Sequence, residues 1–447
     1  MSIYETVDDL VSDILGQSYH VKTEPVPDAK GIGSVQTRFI ITPSNKDNVD
    51  SDRDSIHIFA KQNDMESPLQ TLIHVVDKES IMYDKVIPLA LKFLSERDTQ
   101  LFSDMKSLLP HYYGRGIVSS QHTFLFQDLF YSRSGEKFKV NASDSFHDDD
   151  TVCLIMESIA KLHGVFHSIK NVPGFNFKEE YPILAEDFLL DKKSHGIVAP
   201  FYNGEFHKSW AILQVVLDNY NTVQSKLSLC HENLPEIREA LNNLKLLVKE
   251  PLKLLGNTRR RENPDTSILI HGDFHPLNIA VSDSAVKFFD FQLIRYSDGL
   301  SDVHQYLCQG TTPKQRSEKL TRYLEIYHET LTVTCQKLGM SGSPYGDFER
   351  FMAEYQKLTP LQIPYGFGML IWKYVTDFKA YEELAGFLKA LEFSSSSEKT
   401  ILHEDILKCI DKMGPKIWEA IQTLFEFVLE INNNGILDQC HFASDTT

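Results

Sequence analysis

The feature that most narrows the fold is the run SILIHGDFHPLNIAVSDSAVKFFDFQ at residues 267–292. An apolar β-type run, SILIHG at 267–272, delivers Asp273 into a loop, and Asn278 follows five residues later. A second β-type run, AVKFFDF at 285–291, carries Asp290 near its end. Oxygen-bearing side chains are thereby gathered at the ends of two adjacent strands. Phosphoryl transfer asks little covalent help of a protein: one carboxylate to accept or orient a hydroxyl proton, and oxygen ligands that hold magnesium against nucleotide phosphates. Asp273 suits the first task and Asn278 with Asp290 the second, because magnesium takes hard oxygen donors in few-ligand sites completed by water and phosphate. H-x-D alone is a weak signal, since a lone Asp at a strand end is commonly a turn former or helix cap. The joint spacing and the flanking β-type runs carry the reading.

Upstream of this stretch, short β-type runs alternate with turn signals: HVKTEPV at 20–26, SVQTRFII at 34–41, SIHIFAK at 55–61 and HTFLFQDL at 122–129. One helix interrupts them over about 70–96, where Leu72, Val75, Val76, Ile81, Val86, Leu89, Leu91 and Leu94 supply an apolar stripe. After residue 130 helical patterns dominate, near 150–169, 207–229, 235–256, 314–338, 347–358, 377–391, 397–412 and 415–432, with the serine run at 394–397 as an N-cap. The fold class that follows is α+β, a bilobal protein-kinase-like fold with a small β-rich N-lobe and a large, mainly helical C-lobe. The expected boundaries are an N-lobe over 1–125, a hinge over 126–130, a C-lobe over 131–432 with the catalytic loop at 268–292, and a frayed polar tail over 433–447.

Charge and cysteine usage exclude several classes. Asp and Glu number 62 against 45 Lys and Arg, and a net charge of -17 repels a phosphate backbone unless basic residues are segregated. The nearest basic run, Arg259-Arg260-Arg261, is followed at once by Glu262 and Asp265 and reads as a solvated corner, so no nucleic-acid partner is expected. Cys153, Cys230, Cys308, Cys335, Cys409 and Cys440 form no C-x-x-C pair, which fits reduced thiols in the cytoplasm. The start, MSIYETVDDL, lacks the basic and apolar stretches of a secretory leader, and Asn141-Ala142-Ser143 reads as a chance glycosylation triplet. No apolar stretch approaches membrane-spanning length, so no membrane insertion is expected.

The HGDxxxxN loop followed by VKFFDFQ resembles the aminoglycoside-phosphotransferase and choline-kinase superfamily, and most closely its ecdysteroid-kinase-like (CHK kinase-like) family. Asp290-Phe291-Gln292 narrows the resemblance, because protein kinases carry DFG at this place. KESIMYDKVIP at 78–88, LFQDL at 125–129 and ESIAKLHG at 157–164 extend it over roughly residues 25–310. The resemblance implies ATP and Mg2+ as cofactors, with Lys61 contacting the nucleotide phosphates and Glu79 as its ion-pair partner. Lys78, next to Glu79, cannot share that helix face. It further implies Gly31 and Gly33 in a glycine turn over the phosphates, and Phe126, Gln127, Asp128 and Leu129 in the segment that binds the adenine edge. His163 and His167 stand at a spacing that can ligate zinc, but without a third ligand they read as core histidines. His271 and His275 read as loop-shaping residues and Asp302 as a backbone anchor for the catalytic loop. One departure is His275, where the family often carries tryptophan.

The acceptor is expected to be a small molecule. Asp290 lies only twelve residues before Asp302, too little chain for an activation segment that would hold an extended peptide. About a hundred residues separate His163 from His271, an insertion resembling those that wall acceptor pockets in small-molecule kinases. Phe201, Tyr202, Trp210, Tyr365, Phe367, Trp372, Tyr374, Phe378 and Tyr381 are candidate wall residues, most of them core. The expected activity is ATP-dependent phosphorylation of a hydroxyl on a steroid-like (ecdysteroid) or xenobiotic alcohol. The alternatives are a choline- or aminoglycoside-type kinase and a catalytically silent nucleotide-binding module.

Overall fold

The structure, a computed structural model of the 447-residue chain, describes residues 2–16, 19–25, 34–43, 56–64, 74–130, 138–140, 145–186, 192–229, 231–247, 251–259, 262–375 and 377–444. In the N-lobe, β1 (Ile3–Tyr4), β2 (Tyr19–Pro25), β3 (Ser34–Pro43), β4 (Ile56–Asp64), β5 (Tyr112–Val118) and β6 (Gln121–Gln127) form one sheet in the order β1-β5-β6-β4-β3-β2. β1 runs parallel to β5, and the other neighbours are antiparallel. Side-chain alternation sorts its two faces. Along β4, Ile58 and Ala60 are buried on one side with Phe39, Ile41, Val118 and Leu125, beneath Leu10 and Val11 of a Val7–Leu15 helix. The opposite side carries Phe59 and Lys61, and Lys61 is in register with Phe124 of β6.

Against that second face lies the long helix expected over 70–96. It is described from Val75, runs to Ile81, passes through a π-helical turn at Met82–Val86 and continues as Ile87–Ser95. Pro88 explains the irregularity, because a proline has no N–H to give the carbonyl one turn back, and the ladder widens just before it. Glu79 and Tyr83, one turn apart, are both buried facing the sheet and the site. The Val7–Leu15 helix, a Thr99–Ser107 helix and strand β5 have no counterpart in the sequence reading.

The C-lobe is built on the Asp149–Lys170 helix, packed against the Pro313–Lys337 helix. Gly164 permits their close crossing, since a Cβ there would sit 2.7 Å from Thr334 Cγ2. Asp149–Lys170 is long and apolar enough to cross a membrane, contrary to the reading that no such stretch exists, but 78% of its apolar window is buried inside the protein. The helices expected near 347–358, 377–391, 397–412 and 415–432 form as Phe348–Lys357, Phe378–Leu391, Ser396–Lys412 and Lys416–Asn433. Ser395 caps the third of these in a capping box with Glu398. The helix expected over 235–256 is instead two, Leu234–Leu247 and Pro251–Arg259, with Pro251 opening the second. The one expected over 207–229 starts earlier and ends sooner, as Lys192–Asp218.

The polar tail over 433–447 is corrected by a helix at Ile436–Ser444, whose Ile436, Leu437 and Cys440 are buried. Polar residues outnumber apolar ones across 433–447, but Ile436, Leu437 and Cys440 fall on one face and join the core of the last helices. Two small sheets complete the lobe interface. β7 (Lys139–Val140), β9 (Ile279–Val281) and β10 (Val286–Phe288) form one in the order β10-β9-β7, and β8 (Ser267–Ile270) pairs antiparallel with β11 (Arg295–Asp298). The molecule is thus an α+β, bilobal protein-kinase-like fold.

Candidate active site

Where the lobes meet, Lys61 Nζ donates to Glu79 Oε2 at 2.8 Å and to Asp290 Oδ1 at 2.7 Å. Strand β4 supplies the lysine, the long N-lobe helix the glutamate, and the turn after β10 the aspartate. Burial alone lowers the proton affinity of Lys61, but the Asp290 and Glu79 carboxylates outweigh it and hold the ammonium above its ordinary range. The Glu79 carboxyl is also shifted upward, first by burial; Lys61 opposes that shift and the negative charge of Asp290 adds to it. One ammonium shared by two carboxylates leaves the cluster short of positive charge. Asp290 itself sits at φ 65°, ψ 59°, a left-handed conformation that costs a non-glycine residue about 1–3 kcal/mol.

The hairpin register explains why the second aspartate and the asparagine are neighbours. Phe288 pairs with Ile279, so the next step along each strand leads to Phe289 and Asn278, and Phe289 N–H donates to the Asn278 carbonyl at 3.2 Å. The Asn278 side-chain Nδ2 donates to the Asp273 carbonyl at 2.9 Å, which commits the amide nitrogen to the loop and leaves the amide oxygen available as a ligand. Asp273 lies beside it, with Gln305 Nε2 donating to Oδ1 at 3.1 Å and His275 Nε2 at 3.4 Å from Oδ2. Burial, the strongest influence on the Asp273 carboxyl, raises its proton affinity; His275, His271 and Gln305 together more than reverse this and hold it below the usual range.

Asp302 anchors the loop that carries Asp273. Its two carboxylate oxygens accept from the N–H groups of His271 at 2.7 Å and Gly272 at 2.9 Å. Gly272 has φ 83°, and a Cβ there would meet the Leu293 carbonyl at 2.0 Å, so only glycine fits this turn. Arg295 Nη1 donates to the Gly272 carbonyl at 2.8 Å, and His271 is 2.9 Å through Nε2 from the Phe289 carbonyl. His163 stacks behind, 3.3 Å from Asp302 and 2.8 Å from the Tyr327 hydroxyl. His167 is held neutral, its proton affinity lowered to about 4 by burial and Lys170, so it carries no charge for this pair. Among the described residues no cluster of three or more His, Cys, Asp or Glu side chains has metal-site geometry. A divalent cation here would rest on few protein ligands plus phosphate, the pattern magnesium favours.

In the hinge segment, Phe126 is buried against Tyr83, with ring centroids 4.8 Å apart, and Leu129 is buried with Phe138 and Ala280. The N–H groups of Gln127 and Asp128 are spent on the carbonyls of His111 and His57, at 2.7 and 3.1 Å. The Asp128 carboxylate is taken by Arg38 of β3 and by the Phe130 N–H. Those two N–H groups and that carboxylate are therefore already engaged within the protein. Gly31 and Gly33 lie outside the described residues. Lys78, the rival to Lys61, turns away and donates to the Glu186 carbonyl at 2.7 Å. Gln305 and Arg295 escaped the sequence reading. The available signal was helical spacing, since Gln305 follows Asp302 by three residues.

An N-lobe Lys–Glu pair bridged across the lobes to Asp290, beside a loop that carries Asp273 and Asn278, defines a phosphotransferase of the kinase-like class. A family model described as the ecdysteroid kinase-like family matches residues 33–340, and the chain belongs to that family. No curated protein matches it. Among solved structures it is similar to an ethanolamine kinase from Plasmodium vivax, at 11% identity over 90% of this chain and 85% of that one, TM-score 0.36. It is also similar to a choline kinase from Cryptosporidium parvum Iowa II, at 10% identity, 92% and 93% coverage and TM-score 0.35. A third is the GDP complex of aminoglycoside 2'-phosphotransferase-IIIa, at 12% identity, 89% and 96% coverage and TM-score 0.37.

Proposed function

We propose that the protein transfers the γ-phosphoryl group of ATP, with magnesium, to a hydroxyl of a small apolar alcohol, of which a steroid-like or xenobiotic alcohol is the best fit. The observation that carries this is the Lys61–Glu79–Asp290 cluster beside an Asp273–Asn278 loop fixed by Asp302. Lys61 would hold the nucleotide phosphates, and the Asn278 amide oxygen with the Asp290 carboxylate would hold the metal. Bound magnesium would supply charge neutralisation for the transferring group. Asp273, with its proton affinity held low, orients the acceptor hydroxyl and takes its proton late, as a loose transition state requires.

Two observations support a small acceptor of apolar character. After Asp290 the chain makes one short turn and returns as β11 against β8, leaving no platform for an extended peptide. Leu277, within the catalytic loop, is 39% exposed, and Phe130, at the end of the hinge, is 42% exposed, apolar surface that a hydrophobic acceptor could cover. Tyr365, Phe367, Tyr374 and Tyr381, candidate wall residues, are buried in the C-lobe core, while the side chains of Phe201, Tyr202, Trp372 and Phe378 lie outside the described residues.

Incubation with magnesium, labelled ATP and a panel of steroid and phenolic alcohols, choline and aminoglycosides tests the reading. Label is expected on a steroid or phenolic alcohol, and Asp273→Asn is expected to lower the rate by about 10²–10⁴-fold while nucleotide binding persists. Transfer to choline or aminoglycosides alone would refute the apolar acceptor, and no transfer with no ATP binding would refute the activity.

A further inference from the structure

The Leu300–Gly310 helix sends Asp302 and Gln305, one turn apart, toward the site. Asp302 holds the backbone of the catalytic loop, as described above. One turn on, Gln305 Nε2 donates to Asp273 Oδ1 at 3.1 Å. A further turn on, Gln309 Nε2 donates to the Tyr365 carbonyl at 3.0 Å and ties the helix to the segment behind it.

Gln305 is unusual in what it leaves unmet. Its side chain is buried, 5% exposed, and its Oε1 has no hydrogen-bond donor among the described residues. An orphaned buried acceptor lowers stability, and an apolar side chain of the same length would fill the space without that cost. Rotating the amide does not rescue it, because Oε1 would then face the Asp273 carboxylate, acceptor against acceptor. The amide is therefore fixed in one orientation by its single bond to Asp273. The other carboxylate oxygen, Oδ2, faces His275 Nε2 and Asn278 Nδ2, each at 3.4 Å. With Oδ1 pinned from the helix and Oδ2 from the loop, the carboxylate has one orientation.

We infer that Gln305 is a positioning residue that sets the angle at which Asp273 meets the acceptor hydroxyl, without touching nucleotide or metal. This rests on Asp273 being the group that orients that hydroxyl. A structural role would show in folding; a positioning role shows in turnover alone.

Gln305→Met keeps the length and removes both the donor and the orphaned oxygen. Its kcat is expected to fall roughly 10- to 100-fold, the scale of a misaligned catalytic group. KM for Mg·ATP and the affinity for a non-hydrolysable ATP analogue, measured by calorimetry, are expected to be unchanged. The melting temperature is expected to stay within about 2 °C of wild type, the lost bond to the carboxylate being offset by removal of the orphaned oxygen. Gln305→Glu, which sets a carboxylate against Asp273, is expected to lose more turnover than Gln305→Met. Unchanged kcat in both variants would overturn the inference, and so would a melting temperature lowered by more than about 5 °C in Gln305→Met, which needs no substrate to read. Wild-type protein that binds no nucleotide would instead count against the proposed activity, so the two failures are told apart.

Discussion

Asp298, at the end of β11, shows how residues outside the reacting set shape the fold around it. Its carboxylate accepts from the Tyr345 hydroxyl at 2.6 Å, from the Leu300 N–H at 2.9 Å and from Thr266. Burial first, and the nearby Glu262 second, push its carboxyl from 3.8 to about 6. Because the folded state then holds the proton more tightly than the unfolded one, this group favours folding most below its ordinary value. That contribution is lost as pH rises through about 6, an effect on the order of 3 kcal/mol. Asp298→Asn, which keeps an acceptor and cannot ionise, is expected to flatten the fall in urea midpoint between pH 4 and 7. An unchanged slope would show that another group sets it. That Asp273, Asn278 and Asp290 are gathered at the ends of neighbouring strands was legible in sequence because all three lie in one short run. Gln305 and Asp298 were not, because single polar side chains become meaningful only when the fold brings them beside a carboxylate or into a dry interior.

Among the elements, most helices with sustained periodicity were read to within a residue or two, but the one expected over 207–229 lies at Lys192–Asp218 and the one expected over 235–256 is two helices. The N-lobe strands that alternate were read nearly as well. Strand β5, YYGRGIV, was missed for a physical reason: its glycines look like turn signals, yet they are there because a helix lies directly on the strand. A Cβ on Gly114 would approach Ile14 Cδ1 to 2.9 Å, and one on Gly116 would approach Leu10 Cδ1 to 2.7 Å. The closing helix at Ile436–Ser444 was missed because it lies in a stretch dominated by polar residues, although its Ile436, Leu437 and Cys440 are buried in the core. Truncation after Asn434 removes the buried Ile436, Leu437 and Cys440, and is expected to lower unfolding free energy by about 3–5 kcal/mol. Urea denaturation checks this, and a midpoint equal to that of the full chain would show the helix to be dispensable.

At the scale of the molecule, the lobes are joined on both sides of the site. Phe288 N–H donates to the Leu108 carbonyl at 2.8 Å, and Lys287 Nζ reaches the carbonyls of Ser107 and Leu109, each at 2.9 Å. On the other side the bridge is ionic, Lys61 to Asp290, and under the proposed function it is the part that nucleotide binding would rearrange. Under the proposed function, Asp290 would hold a cation that supplies the positive charge the cluster lacks, and Lys61 would be freed for the phosphate oxygens. ATP and metal are therefore expected to bind together. The most direct test is a calorimetric titration of the protein with ATP, with magnesium and after its removal by chelation, repeated on Asp290→Asn. Tight binding only when magnesium is present, and weakened by at least tenfold in the variant, is the predicted result. ATP binding equally well without metal, or unaffected by the loss of the Asp290 charge, would contradict a nucleotide site built on these two loops.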